Sequence, residues 1–247
     1  MKNKIIALGY SSREVEELLK ASKNIEEDYK KLTMKYPIQY LIGYVNFYGY
    51  KINVNENVLI PRYETEYLVE KTINYCNNLF KNKQIDVLEI GTGSGAISIA
   101  INKMIDSNIT AVDISTEALD VAKENAKLNN CNINYIKSDI FENVDEKYDL
   151  IISNPPYIDI NEEIDESVKK YEPTLALYAD DNGLYFYKRI IKESQNYLKK
   201  KSIIAFEIGY MQGNKIKEIA KEYYKDSKII VEKDLSGKDR YLFIINE

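Results

Sequence analysis

The spacing of hydrophobic positions indicates helices at the start of the chain. An apolar stripe runs through residues 11–24, behind a capping box that Ser11 and Glu14 can form. With the residues that follow, this segment predicts a short helical N-terminal region, residues 1–36. A region of this size cannot hold a hydrophobic core alone, so we expect it to pack against the rest of the chain.

The helical pattern does not continue through residues 37–60. Within them, residues 44–60 alternate apolar and polar side chains around Gly49, which predicts a β-hairpin or two short strands. We therefore interpret residues 37–60 as a β-hairpin linker. Helical spacing returns immediately afterwards, in a helix predicted to open near Glu64.

Strands and helices alternate from about residue 85 to the end of the chain. Apolar runs predict seven strands, at residues 85–90, 109–114, 133–137, 148–153, 202–209, 229–234 and 240–246. The intervening helices are predicted at residues 93–105, 115–130, with Ser115 as N-cap, 182–200 and 212–224. Near-continuous apolar strands alternating with helices are typical of a parallel sheet covered on both faces. Because a parallel crossover needs about a dozen residues, the short link between the last two strands makes that pair antiparallel. We assign residues 61–247 to this α/β domain.

Composition and charge narrow the class of protein. The 247 residues are 45% hydrophobic and 30% charged, which is typical of a globular chain. No apolar run approaches the roughly 20 residues of a membrane span, and no secretory signal is recognisable, so we predict a cytoplasmic protein that does not bind membranes. The net charge of −5 argues against a protein that grips duplex DNA through many phosphates.

The absence of histidine excludes several mechanisms. With no histidine in the chain, a Ser-His or Cys-His pair and a histidine-ligated metal are impossible. The two cysteines, Cys76 and Cys131, lie far apart, so we expect neither a disulfide framework nor a metal site. The chemistry must use amides, carboxylates, tyrosine, lysine, arginine or a cofactor.

A glycine-rich turn follows the first strand of the α/β domain. Glycines at alternate positions, Gly91, Gly93 and Gly95, let the backbone approach a ligand closely. Ala96 can replace the third glycine of a dinucleotide fingerprint, so this turn alone does not exclude NAD. A tight strand-to-helix turn without a ligand is the structural alternative.

Two acidic positions follow the next strands. Asp113 ends the second strand, where a carboxylate can accept from both hydroxyls of a ribose. Asp139 follows the third strand and can accept from the exocyclic amine of adenine, while Ile140 or Phe141 covers the ring. Carboxyl ends of parallel strands meet at one edge of a sheet, so these loops predict a pocket for a nucleoside-containing cofactor. S-adenosylmethionine meets that description.

The SNPPY stretch ends the fourth strand and opens into the same crevice. The Asn154 side chain offers a carbonyl acceptor, and the Pro155 main-chain carbonyl is held rigidly by Pro156. Two fixed acceptors suit a planar NH₂ group, and Tyr157 offers a flat surface against it. Such a group occurs on a carboxamide and on adenine or cytosine.

These motifs together resemble a known family. The chain is similar to the HemK/PrmC family of protein-(glutamine-N5) methyltransferases over its length from about residue 37 onward. The resemblance is carried by GTGSG, Asp113, NPPY, and the segments QYLIG (39–43), NFYG (46–49), VLIPRYETE (58–66), YEPTLAL (171–177), FEIG (206–209) and DLSGKDR (234–240). NPPY alone is shared with DNA adenine methyltransferases, whereas the combination is specific.

The resemblance implies a fold, a reaction and a partner. The expected fold is a Rossmann-like class I S-adenosylmethionine-dependent methyltransferase with a seven-stranded sheet. The implied reaction methylates the side-chain amide nitrogen of the glutamine in the Gly-Gly-Gln motif of class I peptide chain release factors, leaving S-adenosylhomocysteine. We expect a monomer that acts on protein and makes no direct contact with nucleic acid.

The resemblance also implies site residues. The expected cofactor-binding residues are Gly91, Thr92, Gly93, Ser94, Gly95, Asp113, Asp139, Ile140 and Asn154. The expected catalytic residues, which also hold the glutamine, are Asn154, Pro155, Pro156 and Tyr157. Arg62, Glu64 and Thr65 are expected beside the substrate. No metal is expected.

The sequence departs from the family pattern in three places. Tyr63 replaces the usual second proline of its segment, and Lys199–Lys201 replaces a usual glycine turn. The helical N-terminal region is shorter than the family's bundle, which bears on docking of the release factor. Two other hypotheses stay open at this point: a nucleic-acid adenine methyltransferase, and a scaffold that binds the cofactor without turnover.

Overall fold

A computed structural model describes all 247 residues of the chain, and its strands form one hairpin and one large sheet. The nine strands are β1 (Tyr44–Phe47), β2 (Tyr50–Asn53), β3 (Ile85–Ile90), β4 (Ser107–Asp113), β5 (Ile133–Lys137), β6 (Tyr148–Ser153), β7 (Leu198–Glu207), β8 (Lys228–Lys233) and β9 (Asp239–Asn246). β1 and β2 pair as the antiparallel hairpin. The other seven form a sheet in the order β5-β4-β3-β6-β7-β9-β8.

The strand directions confirm the predicted architecture. The first five strands of the sheet, β5 to β7 in spatial order, run parallel, and β9 runs antiparallel to both of its neighbours. The seven-stranded sheet with an antiparallel last pair is therefore as expected. Its five parallel strands end at one edge, where the loops that carry the candidate residues meet.

Helices cover both faces of the sheet and build the N-terminal region. They are α1 (Lys2–Ile6), α2 (Ser12–Ala21), α3 (Ile25–Thr33), α4 (Ile38–Ile42), α5 (Tyr63–Phe80), α6 (Ala96–Met104), α7 (Thr116–Leu128), α8 (Glu166–Tyr171), α9 (Asp180–Gly183), α10 (Tyr185–Glu193) and α11 (Gly213–Tyr223). Two 3₁₀ turns occupy Thr174–Ala176 and Ser194–Asn196. None of the helices combines the length and apolar character that crossing a membrane requires.

Alternate residues of the central strands supply two separate cores. In β3, Val87 belongs to the cluster that packs under α5 and α6, whereas Leu88 belongs to the cluster under α10 and α11. Both residues are fully buried. This two-sided burial explains why the strands read as continuous apolar runs rather than alternating ones.

A third, smaller core holds the N-terminal helices together. Ile5, Val15, Leu18 and Leu32 are buried in it with two residues of α4. The capping box of α2 is present as predicted: Glu14 N donates to Ser11 Oγ at 3.2 Å, and Ser11 N donates to the Glu14 carboxylate at 2.9 Å. The predicted boundaries of the three regions, at residues 36 and 60, stay a prediction.

Several predicted element limits differ from those of the structure, most clearly at two places. The hairpin strands end at Asn53, so residues 54–60 continue as a loop. The helix predicted over 182–200 ends at Glu193, and Lys199–Lys201 lies inside β7. Lys199 is extended instead, because its ammonium group contacts the carboxylate of Asp149 at 2.7 Å on the neighbouring strand β6 and that of Asp86 at 2.5 Å on β3, one strand further. These tertiary contacts outweigh the helical preference of the lysine run.

Gly183 and Gly237 offer a matched test of local packing. Both have φ near +78°, but a Cβ at Gly183 would lie 2.0 Å from the Tyr157 carbonyl oxygen, whereas a Cβ at Gly237 would meet nothing within 4 Å. We expect Gly237→Ala to lower the free energy of unfolding by about 1 kcal/mol, from backbone strain alone. Gly183→Ala adds a clash with backbone and should cost roughly 1–3 kcal/mol more. Urea unfolding measures both, and equal losses would contradict the close approach.

Candidate active site

The glycine turn after β3 presents bare backbone to a cavity. Gly91 and Gly93 have φ values of +72° and +54°, and a Cβ added at either would meet nothing within 4 Å. Both residues line the cavity. Gly95 serves packing instead, since a Cβ there would lie 3.2 Å from Cβ of Ala122 on α7. The turn therefore leaves room for a ligand against its first two glycines.

A buried glutamate supports this turn from below. Glu89, next to the end of β3, accepts from Thr92 Oγ1 at 2.7 Å and from Ser98 N at 3.1 Å. Burial raises the pKa of Glu89 to about 7. Its carboxylate also lines the cavity. The sequence alone assigned no role to Glu89.

Asp113 ties the second strand to the glycine turn. Its carboxylate accepts from Gly93 N at 2.8 Å and from Ser115 N at 2.9 Å. Burial nevertheless raises the pKa of Asp113 above its ordinary value. A carboxylate has about four acceptor positions, so two remain for ribose hydroxyls. Ser115 is the N-cap of α7, as predicted, and accepts from Ala118 N at 3.1 Å.

The loop after β5 places Ile140 in the cavity wall. Ile140 has φ of +53°, an uncommon conformation for a β-branched residue, and is buried. Ser138 stabilises the turn by donating to the Ile140 carbonyl oxygen at 3.1 Å. Of the two residues expected to cover an adenine ring, Ile140 lines the cavity, whereas Phe141 stacks on Tyr197 in the core.

Asp139 lines the cavity but is already engaged. Both of its carboxylate oxygens lie 3.1 Å from Arg189 Nη1, in a half-exposed ion pair. The second lone pair on each oxygen is still free to accept. Arg189 therefore fixes the orientation of the Asp139 carboxylate. Recognition of an adenine amine by Asp139 stays a prediction.

The SNPPY stretch leaves two acceptors without a donor. Ser153 ends β6 and donates to the Ile90 carbonyl oxygen at 2.7 Å, which joins this exit to the glycine turn. Asn154 Nδ2 donates to Thr65 Oγ1 at 3.3 Å. No group of the chain donates to Asn154 Oδ1 or to the Pro155 carbonyl oxygen. Both residues line the cavity, so these oxygens are available to a ligand.

Tyr157 and Glu64 lie outside the cavity wall. The Tyr157 carbonyl oxygen accepts from Gln212 Nε2 at 3.0 Å, and burial raises the pKa of its phenol to about 12. Glu64 is exposed on the first turn of α5. Neither side chain lines the cavity. A contact of either one with substrate stays a prediction.

An ion pair holds the covering segment, residues 172–176, beside the cavity. Glu172, 5% exposed, contacts Arg62 Nη2 at 2.5 Å and accepts from Ile60 N at 3.1 Å. The residues that follow it, Pro173, Leu175 and Ala176, line the cavity. The N-terminal region touches the same segment, because Tyr171 Oη donates to the Met34 carbonyl oxygen at 3.0 Å. Arg62 thus lines the cavity and also holds this segment through Glu172. Its contact with substrate stays a prediction.

The cavity brings most of the predicted site residues together. Its volume is about 250 Å³, and it opens at the carboxyl ends of β3, β4 and β6. The predicted residues in its wall are Arg62, Thr65, Gly91, Thr92, Gly93, Ser94, Asp113, Asp139, Ile140, Asn154, Pro155 and Pro156. Sequence reasoning missed the apolar contribution of Phe186 and Ile190 on α10, which helical spacing marks only as core residues.

Comparisons with known proteins agree with this site. The methyltransferase small domain family matches residues 72–171. A release factor glutamine methyltransferase of Streptococcus pneumoniae is 45% identical over 223 residues, covering 89% of this chain and 78% of the relative.

This chain belongs to the release factor glutamine methyltransferase family.

Solved structures show the same fold. A release factor-specific protein-(glutamine-N5) methyltransferase from Alicyclobacillus acidocaldarius has a TM-score of 0.50 and 26% identity, covering 76% of this chain and 94% of its own. A 16S rRNA methyltransferase of Thermus thermophilus, solved with S-adenosylmethionine and guanosine, has a TM-score of 0.59 at 13% identity, covering 83% of this chain and 50% of its own. The expected class I methyltransferase fold and the HemK/PrmC resemblance are confirmed.

The cavity has the features that the cofactor of this family requires. S-adenosylmethionine carries a ribose, an adenine and a methionine group, and the cavity offers bare glycine backbone, the Asp113 carboxylate and the Ile140 side chain. These residues fit the cofactor of a methyltransferase. Their individual contributions to binding are proposals that mutation can test.

Asp113 is expected to contribute strongly to cofactor affinity. Asp113→Asn keeps the shape but removes the charge that would accept from ribose hydroxyls. A charged hydrogen bond contributes about 1.5–3 kcal/mol, so the Kd for S-adenosylmethionine should rise about 10- to 100-fold. Isothermal titration calorimetry measures it. The control is Asp120→Asn, in an exposed pair with Lys123 on α7, which should leave the Kd unchanged. Equal Kd values for the two variants would refute the role of Asp113.

Proposed function

We infer that this chain transfers the methyl group of S-adenosylmethionine to the side-chain amide nitrogen of the glutamine in the Gly-Gly-Gln motif of class I peptide chain release factors. Family membership supports the reaction, since its relatives carry the name release factor glutamine methyltransferase. We infer further that the enzyme acts as a monomer on protein, without direct contact to nucleic acid.

One observation supports the choice of a carboxamide as substrate. Asn154 Oδ1 and the Pro155 carbonyl oxygen face the cavity without a donor from the chain. Neither acceptor is paired within the chain, so a ligand that brings two N–H groups can bind both. A primary carboxamide brings two N–H groups on one nitrogen.

The two prolines make these acceptors rigid. Pro155 and Pro156 have fixed φ values, and neither has an N–H group that could compete for the oxygens. Asn154 is held from its other side by Thr65. The acceptors are therefore positioned before the substrate arrives, and little ordering entropy is lost on binding.

The chain's residues prepare the nitrogen for attack. An amide nitrogen is a poor nucleophile because its lone pair is delocalised into the carbonyl group. Hydrogen bonds from both N–H groups to Asn154 and Pro155 favour a pyramidal nitrogen whose lone pair faces away from these oxygens. When bound, S-adenosylmethionine supplies an electrophilic methyl group on a sulfonium. Positioning two reactants in this way can remove roughly 7–11 kcal/mol of the barrier.

No strong base is required before the transfer. The two acceptors hold the hydrogens without removing either. Methyl transfer leaves a positively charged nitrogen, which is acidic and then loses one proton to solvent, giving the neutral methylated amide. This agrees with a chain that has no histidine. Glu172 holds in place the segment that contributes Pro173, Leu175 and Ala176 to the cavity wall.

The reaction can be tested directly with its substrate. Incubation with a class I release factor and methyl-labelled S-adenosylmethionine should place one methyl group on the Gly-Gly-Gln glutamine, located by mass spectrometry of its peptide. A release factor with Gly-Gly-Asn is the control and should remain unlabelled. A DNA duplex containing adenine is the competing substrate. Label in the duplex and none in the release factor would overturn the proposed function.

Asn154 should be needed for transfer but not for retention of the cofactor. We expect Asn154→Ala to lower kcat by about 100-fold or more, because one of the two acceptors is lost, while the Kd for S-adenosylmethionine changes by less than about 3-fold. Single-turnover kinetics and calorimetry separate the two quantities. Asn161→Ala, on the exposed loop beyond the site, is the control and should behave as the unmodified enzyme. Parallel loss of binding and turnover in Asn154→Ala would mean that Asn154 holds the cofactor rather than the substrate.

A further inference from the structure

A buried carboxylate lies two hydrogen bonds from the proposed acceptor. Glu207 ends β7, is 2% exposed, and accepts from Thr65 Oγ1 at 2.7 Å through its Oε2 atom. Thr65, 4% exposed, accepts in turn from Asn154 Nδ2 at 3.3 Å. Glu207 itself does not line the cavity. The chain Glu207, Thr65, Asn154 therefore runs from the core to the cavity wall.

Counting protons fixes the direction of these hydrogen bonds. A threonine hydroxyl has one hydrogen, and an ionised carboxylate can only accept. Thr65 must therefore donate to Glu207, which leaves its oxygen free only to accept from Asn154. The Asn154 amide then has its NH₂ group toward Thr65 and its carbonyl oxygen toward the cavity. Without the carboxylate, both orientations of the Asn154 amide satisfy the hydroxyl equally well.

We propose that Glu207 is a positioning residue for methyl transfer: acting through Thr65, its carboxylate keeps the Asn154 carbonyl oxygen directed at the substrate amide. This inference rests on the proposed function, because it explains how one of the two acceptors is presented. It assigns a role to the FEIG segment, whose acidic residue the proposed reaction does not otherwise use.

Protonation of Glu207 would reverse the network. A neutral Glu207 can donate to Thr65, and the Thr65 hydroxyl can then donate to the Asn154 oxygen. The Asn154 NH₂ group would face the NH₂ group of the substrate, donor against donor. Burial raises the pKa of Glu207 to about 7, and the charge of Glu64 adds to this rise. The hydrogen bond with Thr65, the charge of Arg240 and a weaker contact with the Asn154 side chain oppose it. Activity is therefore expected to fall as the pH decreases through about 7.

Other titratable groups face Glu207 and must be considered. Those whose charges act on Glu207, or are acted on by it, are Glu64, Tyr157, Tyr187, Arg240 and Tyr241. Burial raises the pKa of Tyr157 to about 12 and keeps the other tyrosines neutral as well. The pKa of Arg240 is raised, so it stays charged. The chain has no histidine, and two of its buried carboxylic acids, Glu207 and Glu89, have pKa values raised to about 7.

Variants of both relay residues test the proposal. At saturating cofactor, Glu207→Gln and Thr65→Val should each lower kcat by about 10- to 100-fold with little change in the Kd for S-adenosylmethionine, since the cofactor residues are untouched. Thr65→Ser retains the hydroxyl and should recover most of the loss. The double variant should be no worse than Thr65→Val alone, because both changes break one relay. Undiminished kcat in both single variants would overturn the proposal.

The pH profile separates positioning from a merely structural role. Wild-type kcat should fall with a midpoint near pH 7, whereas Glu207→Gln should be low and flat over about pH 6 to 8. Glu232→Gln is the control, because it removes a carboxylate that pairs with Lys71 away from the cavity, and it should keep both kcat and the midpoint. An acid limb that persists in Glu207→Gln, or that disappears in Glu232→Gln, would refute the role of Glu207.

A spectroscopic measurement needs no substrate at all. In protein labelled with ¹⁵N-asparagine, the side-chain NH₂ signal of Asn154, identified by its loss in Asn154→Ala, should shift with a midpoint near pH 7 in the wild type and remain fixed in Thr65→Val. If this signal titrates while no methyl group reaches the release factor, the relay is supported and the proposed function fails. If transfer occurs and the signal does not titrate, the relay is wrong.

Discussion

The parallel pairing of β3 with β4 and β6 is the constraint on which the site depends. Ile90 is in register with Val112 on one side and with Ser153 on the other. This register brings Gly91, Asp113 and Asn154 to neighbouring positions, although 63 residues separate Ile90 from Ser153 in the chain. Hydrogen bonds from Ser153 to Ile90 and from Gly93 to Asp113 then fix the three loops to one another. A ligand at this edge meets a preformed surface, which lowers the entropy lost on binding.

Three buried glutamates support that surface. Glu89, Glu172 and Glu207 are each at most 5% exposed, and each accepts from groups that would otherwise be unpaired. Each has its own position: Glu89 supports the glycine turn, Glu172 holds the covering segment, and Glu207 lies behind Thr65 and the proposed substrate acceptor Asn154. Burying a carboxylate is costly, so its retention at three points around one cavity is explained by what each one positions. For Glu89 and Glu207 the cost is visible in raised pKa values.

The sequence was sufficient to predict the sheet and the residues at which its strands end. Long apolar runs, a glycine turn and an Asn-Pro-Pro exit depend on local chemistry, and β5 and β6 have the predicted limits. The misplaced elements depend on distant contacts. Lys199 is extended because carboxylates of two other strands contact it. Glu172 was visible in sequence only as part of a family segment, since its partner Arg62 lies 110 residues away. Tyr157 was expected in the cavity wall, but its direction depends on Gln212 and on the close approach of Gly183.

The contacts of the covering segment extend beyond the α/β domain. Lys35 forms an ion pair with Glu166 at 2.9 Å, and Tyr36 packs edge-on against Tyr171, so the helices that open the chain abut α8. The same stretch of backbone continues into the cavity wall at Pro173. The short helical region is consequently not a detachable module. A partner bound to the N-terminal region would therefore lie next to α8 and to the segment that leads into the cavity wall.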